Sequence, residues 1–162
     1  MSLKQIIKNI AIEFIQEQKE KQMTNSVPEK KKSRKAALAL ITNSNGEILL
    51  VSRKYDSAIF GLPGGKAEED ESLINALKRE CLEEIGANVR VGQLLFTHHN
   101  IYVYECTLNG EFSQQNGEGI IKWGTWDILV SEETGVRPDF NQLLYLTLFG
   151  NKGKGPLGNV SF

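Results

Sequence analysis

Apolar positions along the chain change their period several times, and each change marks an element. From Leu3 to about Gln18, Leu3, Ile6, Ile7, Ile10, Ala11, Phe14 and Ile15 recur at helical spacing and define one apolar face. Leu3, Ile7, Ile10 and Phe14 also fit a heptad seam, though two heptads are short for a coiled coil. The expectation is an N-terminal amphipathic helix that docks on the domain or pairs with a second copy, making a homodimer. Residues 19–35, rich in Lys, Glu, Gln, Asn and Ser, read as a polar connector.

Ala36 to Thr42 is a continuous apolar run, expected as a buried strand. Asn43-Ser44-Asn45-Gly46 follows, and Asn-Gly is a strong hairpin signal, so Glu47 to Arg53 reads as the returning strand. Ile59 to Gly65 reads as a glycine-rich loop. Leu73 to Ile85 has helical periodicity and stops at Gly86, suited to the left-handed position after a helix end. Strands are expected near Val89–Thr97, Asn100–Thr107 and Ile120–Val130, with Asn109-Gly110 as a turn. Asp139 to Phe149 reads as a closing helix, and the last dozen residues as a loose tail. This pattern predicts an α/β class, a mixed sheet sandwiched between helices. The expected division is 1–35 helix and basic connector, 36–150 domain, 151–162 tail.

At 162 residues, 40% apolar and 24% charged, the chain supports one domain with a proper core. No apolar run approaches the roughly 20 residues that cross a bilayer, and Lys8 and Glu13 interrupt any signal-peptide core. Cys81 and Cys106 give no disulfide framework, so the expected compartment is the cytoplasm. The net charge of −1 hides a split. Residues 1–35 carry nine Lys or Arg against four Glu, and residues 36–162 ten against sixteen acids. The basic run Lys30-Lys31-Lys32-Ser33-Arg34-Lys35 contains no aromatic residue for base stacking and reads as a solvated linker rather than a nucleic-acid contact.

The chemistry concentrates between Gly61 and Ala87. On a helix from Leu73 to Ile85, Glu80, Glu83 and Glu84 project within an arc of roughly 100°. They flank the apolar stripe of Leu73, Leu77, Cys81 and Ile85. Three carboxylates at such spacing repel, and Arg79 is one nearby counter-charge, so a bound cation would relieve them. All-oxygen donors favour Mg²⁺ or Mn²⁺ over Ca²⁺ and leave positions open for water and phosphate oxygens. Gly61-Leu62-Pro63-Gly64-Gly65-Lys66 precedes this helix and allows close backbone approach to a ligand.

Gly65, five residues, Glu71, seven residues, Arg79-Glu80, Cys81, Leu82, Glu83-Glu84, Ile85, Gly86, Ala87 resembles the Nudix box at all seven of its fixed positions. Cys81 and Ala87 fill its two apolar slots. The hairpin before it and the strands and helix after it resemble the family's α/β/α sandwich over about residues 36–150. The resemblance implies that Glu80, Glu83 and Glu84 hold divalent metal, with one of them assisting deprotonation of an attacking water. It implies the Gly64 carbonyl as a further metal ligand, Gly65 and Glu71 as supports of the loop, and Arg79 as the residue that orients the catalytic glutamates. A later acidic ligand is also implied. Glu118, just before a Trp-containing strand, is the candidate, with Glu111, Glu132 and Glu133 as competitors.

The implied activity is metal-dependent hydrolysis of a phosphoanhydride in a nucleoside diphosphate linked to another moiety, without a covalent intermediate. The substrate class stays open among nucleoside triphosphates, dinucleoside polyphosphates and nucleotide sugars. Tyr102 and Tyr104 are candidate substrate contacts, although Ile-Tyr-Val-Tyr is also good strand sequence. Two rival functions are a nucleotide-sensing binding module and an RNA-end pyrophosphohydrolase guided by the basic connector. Gly61 to Ala67 is not a P-loop, since Ala67 stands where Ser or Thr would be needed. His98, His99, Cys81, Cys106, Trp123 and Trp126 read as packing or surface residues, the two tryptophans on opposite faces of one strand.

Overall fold

The computed structural model describes residues 12, 16, 33–113 and 119–150. All elements below belong to the unit Arg34–Phe162, which is separate from the unit Met1–Ser33. The expected N-terminal helix (save Ile12 and Gln16), the C-terminal tail and Glu118 lie outside the described residues.

Ala36–Ile41 forms strand β1, apolar on both sides because both sides are covered. Ala37, Ala39 and Ile41 face one core with Leu49, Leu77, Cys81, Ile85 and Val89. Leu38 and Leu40 face another, with Ile48, Phe60, Leu129, Phe140 and Leu144. Helix α1 (Leu73–Ile85) covers the first; α2 (Trp126–Val130) and α3 (Pro138–Phe149) cover the second. The remaining strands are β2 (Ile48–Arg53), β3 (Asp56–Gly61), β4 (Gly64–Lys66), β5 (Asn88–His98), β6 (Ile101–Asn109) and β7 (Ile121–Gly124). They form a four-stranded mixed sheet, β4-β1-β6-β5, and a three-stranded sheet, β3-β2-β7. β1 runs parallel to β6 and antiparallel to β4.

Three expectations need correction. The Asn43–Gly46 turn forms, its Asn43 Oδ1 accepting the amides of Asn45 and Glu47 at 3.0 Å each. The flanking strands, however, share only the Thr42–Ile48 bridge and then part into different sheets. Each is apolar on both faces and takes a central place in its own sheet. Second, Ile59–Gly65 is not one loop, since β3 runs to Gly61 and β4 starts at Gly64. Third, the single strand expected over Ile120–Val130 stops at Gly124, and Trp126, Leu129 and Val130 bury one face of α2. A short apolar run does not by itself separate strand from helix. Trp123 and Trp126 therefore belong to different elements.

Candidate active site

The Ser72 hydroxyl caps α1, accepting the Asn75 N–H at 3.1 Å. Gly86, at φ 62°, closes it with an N–H donated to the Leu82 carbonyl at 3.1 Å. Between these caps Ala76, Leu77, Cys81 and Ile85 are fully buried, which fixes how the helix is rotated about its axis. That rotation turns Glu80 and Glu84 to the β4 edge and leaves Glu83 half in solvent.

Backbone and carboxylates meet closely along β4. Glu84 Oε2 accepts the Gly64 N–H at 2.8 Å. The Glu80 carboxylate lies over Gly65, where a Cβ would stand 2.5 Å from its Cδ. Gly64 has φ 135°, and a side chain there would run into the Ala37 carbonyl of β1. The glycines thus make room on one side for α1 and on the other for β1.

Arg79 gathers the other acids. Its Nε and Nη2 donate to the two oxygens of Glu71 at 3.0 and 2.9 Å. Nη1 donates to Glu80 Oε1 at 2.9 Å and lies 3.5 Å from Glu83 Oε2, while Nη2 also reaches the Lys66 carbonyl at 3.2 Å. The bidentate contact with Arg79, and then the Glu68 N–H, lower the Glu71 pKa from 4.5 to about 2. The same contact raises that of Arg79, which stays charged. Burial pushes both thiols up, Cys106 to about 11, so neither serves as a ready nucleophile.

Carboxylates of one helix edge, beside a backbone carbonyl and away from any exposed thiol, are a donor set suited to a hard divalent cation. Among the described residues no three acidic, His or Cys side chains converge as a formed metal site. Glu80 and Glu83 are turned to Arg79 and Glu84 to the Gly64 amide. The competitors Glu111, Glu132 and Glu133 are exposed.

Gly64 and Glu84 also line a cleft of about 340 Å³ between the sheets. Leu38 comes from β1, Leu62 from the link between β3 and β4, and Ser52, Arg53 and Lys54 from β2 and the turn after it. Val136 completes the wall, its N–H donated to the Phe60 carbonyl at 2.7 Å and its carbonyl accepting Asn141 Nδ2. Arg53 and Lys54 were not singled out from sequence; the polar Ser-Arg-Lys ending an apolar strand was the available signal. Tyr102 and Tyr104 lie elsewhere. They oppose Ala37 and Ala39 on the α1 side of the sheet, Tyr104 against the core and Tyr102 beneath the Lys35 amine at 5.7 Å. His98 stacks on Phe96, and His99 turns the β5–β6 connection at φ 52°.

The NUDIX domain family matches residues 32–128, more than half of the chain. The chain belongs to the Nudix family. Among its relatives, an 8-oxo-dGTP diphosphatase of Buchnera aphidicola subsp. Acyrthosiphon pisum (strain APS) is 36% identical over 61 residues, 38% of this chain and 48% of that protein. A CTP pyrophosphohydrolase of Escherichia coli (strain K12) is 42% identical over 64 residues, 38% and 47% of the two chains. The chain spans about half the length of the curated relatives it matches. The crystal structure of an ADP-ribose pyrophosphatase from Streptococcus suis 89-1591 superposes with a TM-score of 0.57 at 20% identity, covering 75% of this chain and 94% of that one. At that identity the likeness speaks for the Nudix fold. Among the described residues no helix is long and apolar enough to cross a membrane.

Proposed function

We propose that the chain is a divalent-metal-dependent hydrolase of a phosphoanhydride bond in a small nucleotide, a nucleoside diphosphate linked to a further group. One observation carries this reading: Glu84 and Gly64, at the carboxylate edge of α1, line the same cleft as Arg53 and Lys54. The Glu84 carboxylate suits a cation, and the Arg53 and Lys54 side chains suit a polyphosphate.

Glu80, Glu83 and Glu84, with the Gly64 carbonyl and Glu118, are the residues that would hold Mg²⁺ or Mn²⁺, whose chemistry is to neutralise phosphate oxygens and acidify water. Either Glu80 or Glu83 takes the proton of the attacking water. Arg79 keeps these two carboxylates side by side, and Glu71 keeps Arg79 in place. Arg53 and Lys54 offset charge on the phosphates, while Leu38, Leu62 and Val136 give the nucleoside an apolar wall. Catalysis by such a site rests on positioning and charge stabilisation.

The test is product analysis over a panel: canonical and oxidised nucleoside triphosphates, dinucleoside polyphosphates, ADP-ribose, nucleotide sugars and triphosphate-ended RNA. Mg²⁺-dependent release of a nucleoside monophosphate from one small-nucleotide class is the expected result. Saturable binding without turnover would replace this reading by a sensor, and turnover of RNA alone by an RNA-end hydrolase.

A further inference from the structure

Ser52 is one of two buried polar residues in the described core, 4% exposed, and it stands where two irregularities meet. On the β3 side the register breaks between Ser52 and Arg53: Ser52 pairs with Phe60, whereas Arg53 pairs with Asp56. Such a break bends a strand and re-aims the side chain that follows. Here that side chain is Arg53, at the cleft. On the β7 side Ser52 continues the ladder by one pair beyond Val51 and Ile121, donating its N–H to the Ile120 carbonyl at 2.9 Å. An antiparallel pair of this kind ordinarily exchanges two backbone bonds. The return bond is different: the Ile120 N–H is accepted by Ser52 Oγ at 2.8 Å.

The hydroxyl therefore substitutes for a ladder carbonyl at the irregular position. Gly119 presses against that diverted carbonyl, since a Cβ at its φ of 150° would stand 2.7 Å from Ser52 O. One side chain thus ties together the strand that delivers Arg53 and the residues 119–120 beside it. Alanine would remove the acceptor and leave both strands joined by a single bond at the cleft wall.

We infer that Ser52 is a positioning residue for substrate, acting through Arg53 and the Gly119–Ile120 segment rather than by contact with the reacting atoms. The inference rests on the hydrolase reading, and its role lies in binding rather than in bond cleavage.

The experiment compares wild type, Ser52→Ala and Leu144→Ala in steady-state kinetics with the best nucleotide of the panel, alongside amide hydrogen exchange at Ile120. Losing one hydrogen bond at a binding wall predicts a KM about five- to tenfold higher in Ser52→Ala. Its kcat stays within about threefold of wild type, and Ile120 exchanges faster. Leu144→Ala, a change at a fully buried core residue that does not line the cleft, keeps the wild-type KM. An unchanged KM or an unchanged Ile120 exchange rate in Ser52→Ala overturns the inference, as does the same KM rise in Leu144→Ala. A wild type that turns over no nucleotide overturns the hydrolase reading and the Ser52 role with it. A wild type that turns over normally beside an indifferent Ser52→Ala overturns the Ser52 role alone.

Discussion

On one face of β1, Ala37, Ala39 and Ile41 meet Leu77, Cys81 and Ile85 of α1; on the other, Leu38 and Leu40 belong to a core with Phe60, Phe140 and Leu144. Alanines on the first face allow the helix close to the sheet, since the distance of approach follows the side chains at the contact. That closeness is what lets Glu80 lie on Gly65 and Glu84 reach the Gly64 amide. The second face is filled by large side chains instead, with Trp126, Tyr145 and Phe149 packed ring to ring at 5.0–5.6 Å. Both faces supply stability, while the ion network of Arg79 sits on the first alone. The difference teaches that a close-packed helix places chemistry at its rim, where burial fixes the rotation and solvent remains within reach.

This contrast breaks if changes on the two faces have the same consequences. Glu83→Gln keeps the shape of the α1 rim and removes one of the candidate proton acceptors and cation ligands. It is expected to lower kcat by about a hundredfold or more with the melting temperature nearly unchanged, the usual scale for such a group. Leu144→Ala empties a fully buried site on the opposite face. It should cost about 2–5 kcal/mol in denaturant unfolding, with turnover at low temperature within about twofold of wild type. Ala37→Val is the mixed case. An added branch on the α1 face should cost about 1–3 kcal/mol and lower turnover as well, because it lifts the helix that carries the carboxylates. If Ala37→Val lost stability without losing turnover, close approach of α1 would not be what sets the site.

The smallest effect is in the acid limb. Glu71 titrates at about 2 in the folded protein against an ordinary 4.5, so it binds its proton less readily when folded. Its contribution to stability is fully present above pH 4.5 and is lost as the pH falls from there toward 2. Glu71→Gln should flatten the stability profile over that interval and leave it parallel to wild type at neutral pH. Denaturant midpoints between pH 2 and 6 check it, and an unchanged acid slope would argue that the Arg79 contact is not maintained in solution.

Local chemistry was legible in the sequence where one element contained all of it. The helix from Leu73 to Ile85 and its left-handed end at Gly86 follow from spacing along a single segment, whereas the pairing of Glu71 with Arg79 was implied by the resemblance to the Nudix box. What escaped depended on partners distant in the chain. The turn at Asn43–Gly46 was plain, yet nothing local showed that β1 would pair with β6 and β2 with β7. The apolar run after Ile120 concealed a change from strand to helix at Thr125. The cleft escaped for the same reason: Arg53 and Glu84 are far apart in sequence and come to line one cleft only in the folded chain. Tyr102 and Tyr104 were weak candidates by family likeness and good strand sequence besides; strand register sets them on the α1 side of the sheet, and neither lines the cleft.

The central claim is that the rim of α1 is a metal-dependent hydrolytic centre. Its most direct test is nucleoside monophosphate release from the best small nucleotide of the panel by wild type and Glu83→Gln, each with Mg²⁺ and with EDTA. The expected result is turnover in one of the four samples, wild type with Mg²⁺, and at most about a hundredth of it in the others. Equal turnover by Glu83→Gln, or turnover that survives EDTA, would contradict the account.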